Sequence, residues 1–145
     1  MQDAIEGYRE ASDRGDVDGL MATLTEDVEM VSPISGRMVF RGHKDLRILL
    51  TAVYGSISGL AWHEAVGDGR TRVVMGDGLV GPLRFTDAMV CELGKDGRIR
   101  RISPHLRPWL AVTLLAVKLA LKLVRHPGVP LRALKRPGPG SRMVT

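Results

Sequence analysis

The chain is poor in the residues that usually announce a function. It has a single cysteine, Cys91, so no internal disulfide can form. That composition suits a reducing compartment. Aromatic residues make up only 4% of its 145 positions, so a core must be assembled from Leu, Val, Ile, Met and Ala. No acidic residue follows Asp96. The polar, acidic N-terminus offers neither a basic n-region nor an apolar h-region, so no secretory leader is read there. His43, His63, His105 and His126 form no HxH or HExxH spacing, and no zinc signature is present. Phosphate loops, GxGxxG and GxSxG are also missing. Gly76–Gly81 is glycine-rich, but no helix follows it to cradle a phosphate. No cofactor or metal is expected.

What is present is divided by charge. Residues 1–97 carry 16 acidic and 10 basic groups, whereas residues 98–145 carry 11 basic groups and no acid. A hydrophobic content of 44% supports one packed domain at this length. The basic segment implies a separate task, met by acidic lipid headgroups, nucleic acid or the acidic body of a second copy. Nucleic acid is the weakest of the three, because the segment has few aromatics on which bases could stack.

Periodicity orders the elements. Asp3 caps a first helix with Ala4, Ile5, Tyr8 and Ala11 on one stripe, and Gly15 stops it. Asp16 or Asp18 caps a second helix to about Thr25, with Leu20, Met21 and Leu24 facing inward. Strands are expected at Val28–Val31 and Met38–Phe40. The spacing of Leu46, Leu49, Leu50 and Val53 predicts a helix over Asp45–Tyr54. Strands at Ala61–Val66 and Thr71–Met75 are expected to end at Gly67–Gly69 and Gly76–Gly78. A long strand, Arg84–Leu93, should turn through Gly94–Gly97 into Arg98–Ser103. The fold class is α+β: a curved antiparallel sheet, cone or half-barrel, wrapped by N-terminal helices, with an added C-terminal helix. The expected divisions are 1–106 for the pocket domain, 107–126 for an apolar and basic helix opened by Pro108, and 127–145 for a flexible basic tail.

This order of elements, together with "FRGHKDLRILL" and the long hairpin, resembles the nuclear transport factor 2-like superfamily over residues 3–106. The nearest branches are the SnoaL-like polyketide cyclases and the ketosteroid isomerases. Because the superfamily holds enzymes and non-catalytic binders, the resemblance leaves open whether this chain is an enzyme. In the isomerases a tyrosine and a protonated aspartate form an oxyanion hole, and a second aspartate is the base, a worked case of pKa tuning. The resemblance places the tyrosine at Tyr8 in the first helix and the hole's aspartate at Asp87 in "RFTDAMVCEL". The base position falls on Ser32 in "MVSP", and a serine hydroxyl cannot shuttle a proton between carbons unaided. Epoxide hydrolases of the superfamily fit less well, since "RIRRIS" lacks a carboxylate and Arg84 and Asp87 point to opposite faces of a regular strand. A homodimer through the outer face of the sheet is a further implication.

On an alternating strand Asp87 shares a face with Phe85, Met89, Cys91 and Leu93. Such neighbours desolvate a carboxyl and raise its pKa. Asp87 and Tyr8 are therefore the candidate catalytic residues. Ser32, Trp62, Phe85, Met89 and His105 are candidates for lining the site, and His105 or His63 could supply the missing base. Cys91 reads as a small buried hydrophobe. Each candidate also has a structural reading: a satisfied core tyrosine, a turn serine, a carboxylate paired with a cation.

The stretch Trp109–Val124 is apolar except for Thr113, Lys118 and Lys122. Its sixteen residues would span about 24 Å, short of a bilayer's hydrocarbon core of roughly 30 Å. It either packs over the open end of the cone or across a dimer, or lies in a membrane interface beside anionic lipid. The expected ligand is a small apolar molecule, and the expected setting is cytoplasmic or peripheral to a membrane.

Overall fold

The structure, a computed structural model, describes residues 3–35 and 37–134. Helix α1 (Ala4–Arg14) begins where the Asp3 carboxylate accepts the Ile5 N–H at 2.8 Å, and it closes at Gly15 in the left-handed region, φ 64. Asp16 then caps α2 (Val17–Ala22) by accepting the Gly19 N–H. This helix stops earlier than its periodicity implies. The Ile99 N–H donates to the Thr23 carbonyl, and Leu24 pairs with Ile99, so Leu24 enters strand β1 (Leu24–Val31) instead. Sheet pairing overrides a short run of helix formers that could make few hydrogen bonds of its own.

Strand β2 (Val39–Arg41) and helix α3 (His43–Tyr54) follow, and α3 buries Leu46, Leu49 and Leu50. Then come β3 (Ser58–Val66), β4 (Thr71–Val80), β5 (Leu83–Leu93), β6 (Ile99–Ser103) and the short β7 (Leu106–Arg107). They form one seven-stranded sheet in the order β2-β1-β6-β5-β4-β3, with β7 pairing β5. The expected α+β architecture is present, but the sheet is not wholly antiparallel, because β1 and β6 run parallel.

A second departure is more instructive. Gly76-Asp77-Gly78 is not a turn: β4 runs through it in continuous register with β5, Gly76 facing Asp87 and Gly78 facing Phe85. The turn falls at Gly81, φ 56. A Cβ on Gly76 would lie 2.6 Å from both the Ala61 carbonyl oxygen and Trp62 Cε3. One on Gly78 would lie 2.8 Å from Phe85 Cε1. These glycines serve close packing of neighbouring rings, not a change of direction.

Helices α4 (Trp109–Leu123) and α5 (Gly128–Leu134) close the structure. The tail expected to be flexible from residue 127 therefore begins with a helix, and Val129 and Ala133 are buried. The rest of that tail, 135–145, lies outside the described residues. Arg132 donates twice to the Asp45 carboxylate, at 2.7 and 2.9 Å, and Lys122 donates to the Gly55 carbonyl oxygen at 2.7 Å. Asp45 is buried, so a neutral amide there would weaken the charge-assisted pair with Arg132 without leaving an unpaired charge inside. Asp45→Asn is expected to speed hydrogen exchange of the α5 amides while leaving those of β4 and β5 unchanged. Equal protection of α5 in both proteins would refute that latch.

Candidate active site

The sheet's inner face and helices α3, α4 and α5 enclose a cavity of about 610 Å³. Its wall is almost entirely aliphatic and aromatic, with Met30, Phe40, Leu50, Leu115 and Leu119 among the lining. Among the described residues, the polar side chains that reach it are Tyr8, Ser32, Tyr54, Trp62 and Asp87, and Asp87 is the one carboxyl group in the lining.

Strand β5 places Asp87 by alternation: Phe85, Met89 and Cys91 are buried on the same side, while Arg84 and Thr86 face solvent. Arg84 instead bonds Asp77 at 2.6 Å on the outer surface, and among the described residues Asp87 forms no ion pair. Arg84 and then His63 hold the Asp77 carboxyl below its usual range, and that outer cluster is remote in character from the cavity. Asp87 accepts a hydrogen bond from the His105 backbone N–H at 3.3 Å. Burial among apolar groups dominates and pushes the Asp87 carboxyl up to about 7, against the smaller opposing effects of the His105 amide and ring.

Tyr8 and Tyr54 share a hydrogen bond between their hydroxyls at 3.1 Å. Behind them the Trp62 Nε1–H donates to Ser12 Oγ at 2.7 Å, and the Ser12 hydroxyl donates to the Arg9 carbonyl at 2.8 Å. Burial pushes both phenols well above their ordinary pKa, and the nearby Asp87 charge raises each further. Both therefore remain neutral donors at physiological pH. Burial also pushes the Cys91 thiol up to about 12, in keeping with a packing role.

Six of the seven residues singled out from the sequence, Tyr8, Ser32, Trp62, Phe85, Asp87 and Met89, line this one cavity. His105 does not. Its imidazole is exposed and sits 3.2 Å from the Ala88 carbonyl, because backbone pairing with Ala88 turns the ring outward. Only its main chain touches the site. His63 also points outward, to Asp77 at 3.1 Å, so neither histidine replaces a base. Ser32 lines the cavity, but its Oγ accepts from the backbone N–H groups of Ile34 and Ser35 as a turn residue. Tyr54 and Ser12 were not singled out, although helical spacing held the signal. Ser12 is one turn beyond Tyr8, and Tyr54 one turn beyond Leu50. Among the described residues no group of three His, Cys, Asp or Glu side chains could hold a metal ion.

The fold is that of the nuclear transport factor 2-like superfamily. The chain belongs to the SnoaL-like domain family, whose model matches residues 5–102. Among solved structures it is similar to a protein from Silicibacter pomeroyi described as conserved in bacteria with a cystatin-like fold, at 21% identity and TM-score 0.84, over 92% of this chain and 95% of that one. It is also similar to a steroid delta-isomerase from Pseudomonas aeruginosa, at 21% identity and TM-score 0.77, over 86% and 92% of the two chains. A de novo designed protein with a curved β-sheet matches at 16% identity and TM-score 0.66, over 81% and 93%. No curated protein sequence matches this chain.

Proposed function

We propose that this chain binds a small apolar carbonyl compound and catalyses a proton transfer beside the carbonyl, as an isomerase, cyclase or lyase would. The observation that carries the reading is a single carboxyl, Asp87, buried in an otherwise apolar cavity beside two neutral phenols. A group that titrates near 7 is present in both forms at neutral pH, which suits a general acid and base. Ionised Asp87 takes the proton from the carbon next to the carbonyl. The electron pair moves onto the carbonyl oxygen as an enolate, which accepts a hydrogen bond from Tyr8 or Tyr54. Protonated Asp87 then returns the proton at another carbon of the conjugated system, so the atoms balance without a co-reactant. In this reading one carboxyl performs the transfer that the family assigns to the position of Ser32.

A second reading has a specific observation behind it. With Ser32 occupied as a turn acceptor, the cavity could hold its ligand without chemistry, protonated Asp87 donating to the ligand's oxygen. Asp87→Asn separates the two. A panel of apolar ketones, including β,γ-unsaturated ones, is followed for appearance of conjugated enone absorbance and for binding. Chemistry at Asp87 is expected to cost about 10²–10⁴-fold in turnover with little change in affinity. Binding without turnover in the unaltered protein, or equal losses of both in the variant, would leave the binder.

A further inference from the structure

The C-terminal helices use only one side for the cavity. Ala111, Leu115 and Leu123 of α4 are buried, and Val129 and Ala133 of α5 join the core. At 100° per residue the opposite arc of α4 holds Trp109, Leu110, Thr113, Val117 and Leu121, and Val124 follows at its C-terminal end. All six are exposed, with Trp109 76% and Leu121 71% accessible. No charged residue interrupts that arc. Leu131 and Leu134 of α5 are exposed too. Val124, Leu131 and Ile34 have a double position: each lines the cavity and each is exposed. They mark the cavity's mouth, and it opens beside this apolar face.

We propose that the outer face of α4 and α5 docks on an anionic lipid bilayer, so that the cavity's mouth opens onto the membrane and an apolar ligand enters from it. Charge selects this occupant. The segment from Arg98 onward has eleven basic residues and no acid; Arg98, Arg100 and Arg132 pair with Asp96, Glu92 and Asp45, while Arg107 and Arg125 are exposed just beyond the two ends of α4. Anionic headgroups answer such a segment while the apolar arc sinks into the acyl boundary. The acidic body of a second copy would answer the charge but not the apolar arc, and a copy seated there would cover the mouth. No helix among the described residues is long and apolar enough to cross a membrane, so the contact is with a surface.

The test is sedimentation of the full chain with vesicles of equal parts phosphatidylcholine and phosphatidylglycerol, against vesicles of phosphatidylcholine alone. Binding is expected to the anionic vesicles, weakened by salt, with a blue shift of Trp109 fluorescence. Trp109→Asp and Leu121→Asp, two exposed positions that do not line the cavity, should each weaken binding about tenfold or more. Circular dichroism checks that both variants fold. No sedimentation with anionic vesicles at low salt would overturn the proposal. So would binding that both variants retain in full, or a homodimer in solution that both variants dissolve without any vesicle binding. Asp87→Asn should bind vesicles as the unaltered protein does, so failure of the chemistry and failure of the docking are separate results.

Discussion

Asp87→Asn is expected to make the protein more stable than its parent above pH 8 and to leave the two equal near pH 3. The folded-state pKa of Asp87, about 7, lies above its ordinary value of 3.8. The folded protein therefore holds this proton more tightly than the unfolded chain. Stability from that proton is complete below the ordinary value, declines as pH rises between the two, and is gone above 7. An asparagine has nearly the same shape, can still accept the His105 N–H and has no charge to bury. Partial access of solvent through the mouth reduces the effect, and the gain at pH 8 is expected to be about 1–3 kcal/mol. Denaturant unfolding of both proteins across pH 3–9 measures it. Parallel curves would mean that Asp87 ionises without hindrance and would remove the physical basis for its chemistry. A variant that gains stability while losing turnover would show a carboxyl kept in a costly place for its reactivity.

The other large effect is expected at a glycine. Gly76→Val should destabilise the fold by about 2–4 kcal/mol, because its Cβ would press on the Ala61 carbonyl oxygen and the Trp62 ring, both at 2.6 Å. The oxygen belongs to the β3 backbone and cannot swing aside. The indole can move only by giving up its bond to Ser12, which stands behind the paired phenols. Unfolding midpoints give the cost, and Trp62 fluorescence, read in a Trp109→Phe background, reports the displaced ring. Gly78→Ala, facing Phe85 carbons at 2.8 and 2.9 Å and the Ser58 carbonyl oxygen at 3.2 Å, should behave alike but more mildly, since the ring can tilt and this carbonyl stands farther off than the one beside Gly76. Unchanged stability in Gly76→Val would mean that the strand tolerates a side chain there after all.

The same glycines show where sequence reasoning stops. A Gly-Asp-Gly triplet after a strand has two local explanations, a turn or a close approach, and only neighbouring strands decide between them. Here Trp62 from β3 and Phe85 from β5 supply the answer. Similarly, Leu24 fits the stripe of α2 as well as the alternation of β1, and its pairing with Ile99, seventy-five positions on, settles the matter. His105 lies where the sequence suggests a site residue, yet the backbone ladder that brings it to Asp87 also turns its ring away. By contrast, the inward face of β5 was legible. Alternation at period 2 places Phe85, Asp87, Met89 and Cys91 together in any regular strand.

The sequence alone determined whatever depends on local periodicity: the stripes of α1 and α3, the capping at Asp3, the Gly94–Gly97 hairpin, and a carboxyl on the apolar face of β5. It also determined the imbalance of charge beyond Asp96, which is composition and needs no fold. Tertiary structure decided what depends on elements far apart in the chain. It joined Tyr8 to Tyr54 and Trp62 to Ser12, and it buried Asp87 in an apolar wall. It also turned one face of α4 onto the cavity and left the other bare. The division is physical. Helix and strand periods are set by the backbone, whereas the pKa of Asp87 and the exposure of Leu121 depend on what chain folding brings beside them.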